Sequence, residues 1–304
     1  QETKVVIKEN SGFLEVSRTL KENGIISNSN IFNLYLIASG KFRELKNGTY
    51  EFSGEYTPIS LANRLIQGPE DIKVLIPEGF TIFEIDKRLS DLNIIEPGAL
   101  VEAAQKPGLF TEFEFLPQEY LVSLEGFLFP DTYNFSQKTE PKQILAKMLK
   151  NFEEKVYSKI DPEMAESPKS LLSLITLASI AEKEVPGLED RKIVSGILWK
   201  RLEKDMLLQV DATVVYAWKI INPDWKPHDH VLTNSDIKIK SLYNTYLYKG
   251  LPQGPISNPG WKSIEAALNP VETDYWFYLS TRDGETIFSK TLKEHETAVK
   301  KYLK

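Results

Sequence analysis

A run of apolar residues that ends in acidic residues constrains the fold of this chain more than any other feature. The run extends from Leu171 to Ala181, and two glutamates follow it within three residues. It is shorter than the roughly 20 apolar residues that span a bilayer, which predicts a buried helix and not a membrane anchor. Because Pro186 disfavours helical geometry at the residue before it, we expect the helix to end near Glu184.

The composition is that of an ordinary globular protein. The 304 residues, 41% of them hydrophobic, are enough for about two domains with cores of their own. The chain has 37 Lys and Arg against 43 Asp and Glu, a net charge of -6, and contains no basic run. A nucleic-acid partner is therefore not expected. The absence of cysteine excludes disulfides and thiolate metal sites.

The first hundred residues alternate short strands and helices. The periodicity and the Gly stops predict the following order: strand Lys4–Lys8, helix Leu14–Glu22, helix Ile31–Ala38, strand Gly48–Phe52, helix Ser60–Ile66, strand Ile72–Ile76, a helix opened by Thr81, and a helix near Ala99–Gln105. Glu84 lies three residues after Thr81, the spacing of a capping box. Strands and helices in this mixture predict the α+β class.

The two halves of this region begin alike. Ser11-Gly-Phe13 is followed by Asn23-Gly-Ile-Ile26, and Glu78-Gly-Phe80 is followed by Asn93-Ile-Ile95. We interpret the similarity as a degenerate internal duplication. The alternative is two unrelated units that share Gly-Phe by chance.

The rest of the chain is predicted to be mainly helical from Pro141 to about Trp218 and rich in loops from there to Pro270. The end of the chain predicts a β-hairpin, with a strand at Tyr275–Leu279 and a turn at Asp283-Gly284. A helix with Thr291 and Glu294 in capping-box spacing then closes the domain.

Glu184 is the first candidate for chemistry. On a helix it shares a face with Leu177 and Ile180, and it lies at the negative end of the helix dipole. Both conditions disfavour the charged form, so its pKa should be raised, as a general acid near neutral pH requires. The alternative is a solvated helix end whose glutamates pair with Lys183 or Arg191.

Glu182 is the second candidate at the same helix end. It lies about 200° around the helix from Glu184, so the two carboxylates cannot flank one glycosidic bond together. Because each shares a face with apolar residues, periodicity does not choose between them.

Further polar residues are concentrated in loops. The segment 124–133 combines aromatic residues with Glu125 and Asp131, the segment 208–216 places Gln209 and Asp211 at the head of an apolar helix, and the segment 243–260 combines prolines and glycines with Tyr243, Asn244, Thr245, Tyr246 and Asn258. Aromatic faces beside hydrogen-bonding groups suit sugar rings, and a rigid loop suits a shaped substrate wall. The alternatives are a core turn for the first segment and an N-cap role for Asp211.

The sequence contains one histidine pair, His228-Asp-His230, at the spacing of a candidate metal site. His228 and His230 lie in a loop without a third ligand at a characteristic spacing, which favours solvated histidines. No cofactor or metal is expected.

Taken together, the motifs resemble the YceG-like (MltG) family of endolytic murein transglycosylases over nearly the whole chain. The motifs that carry the resemblance occur in one order: Gly48-Thr-Tyr50, Ile76-Pro-Glu-Gly79, Glu125-Gly126, Phe129-Pro-Asp-Thr132, Ala178-Ser-Ile-Ala-Glu-Lys-Glu184, Leu208-Gln-Val-Asp211, Tyr243-Asn-Thr-Tyr246, Gly250-Leu-Pro252, Gly254-Pro-Ile256, Asn258-Pro-Gly260, Ala267-Leu-Asn-Pro270, Phe288-Ser289 and Glu294-His295. Departures are modest, with Ala212, Leu242 and Gln253 at positions where the family often has proline.

The resemblance implies that Glu184, the second glutamate of Glu-Lys-Glu, is catalytic. It implies that substrate-binding residues lie in the matched motifs, namely Glu125, Asp131, Gln209, Asp211, Tyr243, Asn244, Thr245, Tyr246 and Asn258. It also implies three domains: an N-terminal α+β subdomain at 1–70, a LysM-like glycan-binding subdomain at 71–120, and a catalytic domain at 121–304.

The activity implied by the resemblance is cleavage of peptidoglycan glycan strands to leave 1,6-anhydro ends. The implied location is the outer side of the bacterial cytoplasmic membrane, reached through a single N-terminal helix that precedes Gln1. The implied partners are peptidoglycan synthases such as penicillin-binding proteins. Two alternatives stay open: a hydrolase that uses Glu125, Asp131 or Asp211 as its base, and a non-catalytic wall-binding scaffold.

Overall fold

The computed structural model describes residues 2–8, 11–69, 71–160, 171–226, 232–281 and 283–303. These residues form eleven α-helices and six strands, in the order β1 (Glu2–Ile7), α1 (Phe13–Glu22), α2 (Ser29–Ala38), β2 (Gly48–Ser53), α3 (Pro58–Gln67), β3 (Ile72–Leu75), α4 (Ile82–Asp91), α5 (Ala99–Ala104), β4 (Thr132–Phe135), α6 (Pro141–Lys155), α7 (Leu171–Glu184), α8 (Leu188–Glu203), α9 (Asp211–Ile221), α10 (Trp261–Leu268), β5 (Phe277–Ser280), β6 (Thr286–Ser289) and α11 (Leu292–Tyr302). The α+β prediction is confirmed. All elements predicted in the first 105 residues are present, with ends shifted by at most two residues.

The chain divides into two compact units. The first contains residues 1–74, 89–96 and 132–140, and the second contains residues 75–88, 97–131 and 141–304. The predicted division into three domains stays a prediction.

The first unit has a core built on one antiparallel strand pair. β1 and β2 pair from Glu2 with Ser53 to Ile7 with Gly48. Alternate side chains on these strands point inward, and Val5, Tyr50 and Phe52 are at most 1% exposed. The inner faces of α1, α2 and α3 complete this apolar core.

The order of elements repeats along the first half of the chain. A strand, two α-helices, a second strand and a further helix occur from β1 to α3 and again from β3 to α6, and the two strands of each set pair with each other. This repetition agrees with the predicted internal duplication. The capping box of α4 is confirmed, because the Glu84 backbone N–H donates to Thr81 Oγ1 at 3.2 Å and the Thr81 N–H donates to Glu84 Oε2 at 2.8 Å.

The second unit is organised around α7, the helix predicted from the apolar run. The helix is buried on all sides, since eight successive residues, Leu174 to Ala181, lie in the interior. α7 packs against α8, α9 and α10. Within the described residues, no helix combines the length and the apolar character that crossing a membrane requires. Helix α7 ends at Glu184, as Pro186 predicted.

The chain end has the predicted hairpin and helix. β5 and β6 pair antiparallel from Phe277 with Ser289 to Ser280 with Thr286. The capping box of α11 is confirmed, with Thr291 and Glu294 bonding each other's backbone N–H. The hairpin places the side chains of β5 next to the end of α7, since Ser280 Oγ donates to the Glu184 carbonyl at 3.1 Å.

We predict that Gly126→Ala destabilises the second unit, because Gly126 combines a φ of +91° with tight packing. A Cβ at this position would lie 2.4 Å from Pro255 Cγ and 2.9 Å from Ile175 Cγ2. Strain and overpacking together should lower the free energy of unfolding by about 2–4 kcal/mol. Denaturant unfolding followed by circular dichroism measures the change. Gly108→Ala is the control, since nothing lies within 4 Å of its added Cβ; equal losses in both variants would contradict the packing argument.

Candidate functional site

Glu184 lies at the end of α7, where it is half-buried. Two groups donate hydrogen bonds to its carboxylate: the hydroxyl of Tyr278 on β5, and the backbone N–H of Ala212 in the first turn of α9. The first donor is an oriented phenol, and the second belongs to the positive end of a helix dipole. Two elements that are distant in sequence therefore supply donors to the carboxyl group.

The pKa of Glu184 is raised to about 7. Burial is the main cause, and the nearby charge of Asp211 raises the pKa further, whereas the hydrogen bonds from Tyr278 and Ala212 lower it. Near neutral pH the group is thus present in both its protonated and its ionised form. A carboxyl group with this pKa is suited to give and to accept a proton at the same pH.

Glu182 has a different environment. Arg191 Nη2 lies 2.9 Å from Glu182 Oε1, and the other oxygen accepts from the Gly260 N–H at 3.0 Å and from Ser263 Oγ at 2.7 Å. These bonds tie α7 to α8 and α10. The pairing with Arg191 that the alternative interpretation predicted is therefore present at Glu182. The structure thus distinguishes the two glutamates, which periodicity alone does not.

Asp211 and Tyr246 lie close to Glu184. The Tyr246 hydroxyl donates to Asp211 Oδ1 at 2.5 Å. Burial raises the pKa of Tyr246, and the charges of Asp211 and Glu184 raise it further. Asp211 is exposed and Tyr246 is half-buried, so both have side-chain surface open to solvent beside the Glu184 carboxyl group.

Gln209 is exposed, and its backbone is held in an uncommon conformation. Its φ is +53°, which is unusual for a residue with a side chain, and its N–H donates to the Thr245 carbonyl at 3.1 Å. The next N–H, of Val210, donates to Thr245 Oγ1 at 3.0 Å. The loop around Thr245 therefore fixes the direction in which Gln209 and the start of α9 point.

The side chains of Tyr243, Asn244 and Thr245 lie in the interior, each at most 2% exposed. Asn244 Nδ2 donates to the carbonyls of Ile237 and Ile239 at 2.9 and 2.8 Å, and Asn244 Oδ1 accepts from the Tyr246 N–H. The structure thus places these three residues inside the loop that carries Tyr246. Their substrate-binding role stays a prediction.

Glu125 and Asn258 also lie in the interior, both 0% exposed. Glu125 accepts from the Ile82 N–H at 3.0 Å, from the Tyr216 hydroxyl at 2.9 Å and from Asn258 Nδ2 at 2.7 Å. Burial raises the pKa of Glu125 to about 8, although these hydrogen bonds lower it. The predicted substrate contact of Glu125 and its alternative role as a hydrolytic base stay predictions, for a carboxyl group that is buried here.

Asn258 connects the same junction to the backbone on both sides. Its Oδ1 accepts from the N–H groups of Gly126 and Leu128, both at 2.9 Å, and its Nδ2 also donates to the Phe80 carbonyl at 2.9 Å. Four bonds therefore use the whole hydrogen-bonding capacity of the amide. Asn258 thus connects its own loop to the loops that contain Phe80 and Gly126.

Asp131 is held by α6. It forms an ion pair with Lys155 and accepts from Asn151 Nδ2 at 2.8 Å. Its own carbonyl accepts from the Ile76 N–H at 2.8 Å. The remaining candidates, His228 and His230, lie outside the described residues.

Two residues of the site were missed by the sequence reasoning. Tyr278 lies in a strand that was predicted, but alternation gave no indication that its hydroxyl meets Glu184. Arg201 is buried near the end of α8, where a cation is ordinarily interpreted as a solvated helix-terminal charge.

Arg201 joins the two segments that donate to Glu184. Its Nε and Nη2 donate to the Trp276 carbonyl at 2.9 and 2.6 Å, two residues before Tyr278. Its Nη1 donates to the Leu208 carbonyl at 2.8 Å, four residues before Ala212. One planar guanidinium group therefore sets the distance between β5 and the start of α9, the two elements that carry the donors to Glu184.

Comparison with known proteins gives consistent results. A model of the YceG-like family matches residues 5–301. The chain is 31% identical over 311 residues to an endolytic murein transglycosylase of Bacillus subtilis (strain 168), covering 98% of this chain and 84% of that relative. It is 26% identical over 326 residues to an endolytic murein transglycosylase of Streptococcus pneumoniae (strain D39), covering 98% of this chain and 58% of that relative.

A solved structure agrees with these matches. The crystal structure of a protein described as yceG-like, from Listeria monocytogenes, superposes with a TM-score of 0.67 at 31% identity and covers 98% of this chain and 99% of that one. The resemblance predicted from the ordered motifs is confirmed, and with it the lytic transglycosylase class of enzyme. The chain belongs to the YceG-like family.

Proposed function

We propose that this protein cuts glycan strands of peptidoglycan internally, at the bond between N-acetylmuramic acid and N-acetylglucosamine, and leaves 1,6-anhydro ends. The observation that carries the proposal is the environment of Glu184, a half-buried carboxyl group with a pKa of about 7 and two oriented donors. The names of the relatives supply the substrate class.

In the proposed reaction Glu184 acts twice. Its carboxyl group first protonates the glycosidic oxygen, and the bond from that oxygen to the muramoyl C1 breaks. Its carboxylate then takes the proton from the muramoyl C6 hydroxyl while O6 bonds to C1. Glu184 thus regains the proton that it gave in the first step, and no water is consumed. Because the attacking oxygen belongs to the same sugar, the ring closure gains the advantage of an intramolecular reaction.

The neighbouring residues fit this chemistry. Tyr278 and the Ala212 N–H hold the carboxyl group and stabilise its ionised form after the first proton transfer. The exposed Asp211 carboxylate lies near enough to influence Glu184, so its negative charge is placed to favour the positive charge that develops at C1. The exposed Gln209 and the half-buried Tyr246 also offer hydrogen-bonding groups.

A hydrolase is the second candidate, and the position of Asp211 is the observation that favours it. Of the three bases considered, Asp211 is the exposed one beside Glu184, and two carboxyl groups are what hydrolysing glycosidases ordinarily use. The products separate the two reactions, since hydrolysis adds water to the new reducing end and the proposed reaction does not.

The cellular setting belongs to the same proposal. We place the chain outside the cytoplasmic membrane, held there by a single helix ahead of Gln1, with a LysM-like glycan-binding module at 71–120 and the catalytic domain at 121–304. Cutting nascent strands would set their length, which makes peptidoglycan synthases the expected partners.

Glu184→Gln should abolish the formation of anhydro ends and leave the fold intact. The amide keeps the size of the side chain but cannot give a proton, so the rate should fall about 100- to 10,000-fold. Mass spectrometry of digested peptidoglycan measures the product. Glu203→Gln, at an exposed position on α8, is the control. Full activity of Glu184→Gln would refute the proposal and favour the non-catalytic scaffold, and water-added ends from the parent would favour the hydrolase.

Tyr278→Phe should move the pH profile. Proton donation requires protonated Glu184, so kcat/KM should fall as the pH rises above about 7. Removing the phenol removes a bond that lowers the pKa of Glu184. The fall should therefore begin about one pH unit higher, because a hydrogen bond to a charged group contributes about 1.5 kcal/mol. Tyr275→Phe is the control on the same segment, and an unchanged or lower midpoint in Tyr278→Phe would contradict this assignment.

Arg201→Lys should slow the reaction without unfolding the protein, because one ammonium group cannot span the carbonyls of Leu208 and Trp276 as the guanidinium does. We expect kcat to fall about 10- to 100-fold through misplacement of Tyr278 and Ala212. The alkaline limb should also move to higher pH, a change that simple destabilisation would not cause. Arg18→Lys on the exposed face of α1 is the control. A loss of kcat with an unmoved limb would show that Arg201 acts otherwise.

A further inference from the structure

A concave site lies in the same unit as Glu184. It is a cleft of about 360 Å³, and none of Glu184, Asp211 and Tyr278 is among its lining residues. Its lining includes the rings of Phe83, Tyr216 and Tyr243, the amides of Gln105 and Gln253 and several aliphatic side chains. Phe83 is half-buried, whereas Tyr216 and Tyr243 are only 5% and 2% exposed. The volume lies in the range of pockets that hold small ligands.

The aromatic wall is continuous and fixed in place. The ring of Tyr216 lies 6.2 Å from that of Phe83 and 4.9 Å from that of Tyr243. The Tyr216 hydroxyl donates to the buried carboxyl group of Glu125 at 2.9 Å. The ring of Tyr216, against which Phe83 packs, is therefore fixed in place, and the amide of Gln253 is exposed at the cleft.

The charge of the lining restricts the ligand. Among the described residues that line the cleft, none carries a formal charge, although 26% of the chain is charged. A phosphate, or the carboxylates of a muramoyl group and its peptide, would enter without a counter-charge and would lose hydration. A neutral sugar would place a C–H face on the half-buried ring of Phe83 and its acetamido group on the exposed amides of Gln105 and Gln253.

The cleft and Glu184 share one helix. Ala212, in the first turn of α9, donates to Glu184, whereas Tyr216 and Ile220 of the same helix line the cleft. These residues follow Ala212 by four and eight positions, or about 6 and 12 Å along the helix axis. The separation is on the scale of neighbouring sugar units in a strand.

We propose that this cleft binds an N-acetylglucosamine unit of the glycan strand, as a subsite remote from the bond that is cut. The inference rests on the proposed function of Glu184. A sugar unit bound in this cleft would position the interior of a glycan strand at Glu184, as cleavage within the strand requires. Occupation of the cleft should contribute to binding and leave the chemical step unchanged.

The test uses the full chain with Glu184→Gln and a neutral probe, tetra-N-acetylchitotetraose, in calorimetric titrations. Phe83→Ala and Gln253→Ala, each added to that background, should weaken binding of the probe about five- to tenfold. Gln253 is exposed, so its variant should fold even if Phe83→Ala does not. Gln67→Ala, at an exposed position on α3, is the control. With Glu184 restored, the cleft variants should raise KM for peptidoglycan and keep kcat.

The outcomes separate this inference from the proposed function. If Glu184→Gln loses cleavage but the probe does not bind, or binds the cleft variants as tightly as the parent, the subsite is refuted and the function stands. If the cleft variants bind more weakly but Glu184→Gln still cleaves, the subsite stands and the role of Glu184 fails. A fall in kcat with unchanged KM would also overturn the subsite.

Discussion

Removal of carboxyl groups from water is the constraint on which the arrangement of the second unit depends. An ionised carboxylate is costly to bury unless hydrogen bonds or an opposite charge compensate for its lost hydration. Glu182 receives a guanidinium, a hydroxyl and a backbone N–H. Glu125 receives neutral donors, and its pKa is raised to about 8. Glu184 receives two donors and a nearby negative charge, and its pKa is raised to about 7. The first two arrangements hold elements together, and the third leaves a proton available.

These arrangements are linked through the same elements. Glu182 and Glu184 are neighbours at the end of α7, so the ion pair with Arg191 also fixes the helix end that presents Glu184. Glu125 binds Tyr216 on α9, the helix whose first turn reaches Glu184. Arg201 then sets the spacing between that turn and β5. The orientation of one half-buried carboxyl group thus depends on contacts made by residues throughout the unit.

The sequence predicted local structure better than it predicted contacts. Capping at Thr81 and Thr291 and the end of α7 at Glu184, two residues before Pro186, follow from steric and hydrogen-bonding rules that act within a few residues, and these predictions are confirmed. The partners of Glu184 come from Ala212 and Tyr278, whose approach depends on the fold. Polar residues in the Pro- and Gly-rich loop suggested a substrate wall. Asn244 and Asn258 instead face inward, because an irregular loop packed in the interior must satisfy its own backbone groups.

A single group that must first give and then take a proton imposes opposite demands on its surroundings. Donors that stabilise the carboxylate strongly would make it a poor acid, and burial without donors would make it a poor base. Around Glu184, burial and the charge of Asp211 act in one direction, whereas Tyr278 and the start of α9 act in the other. The balance leaves the pKa close to neutrality, so the two steps of the proposed reaction can proceed at one pH. A site with only one of these influences would favour one step at the expense of the other.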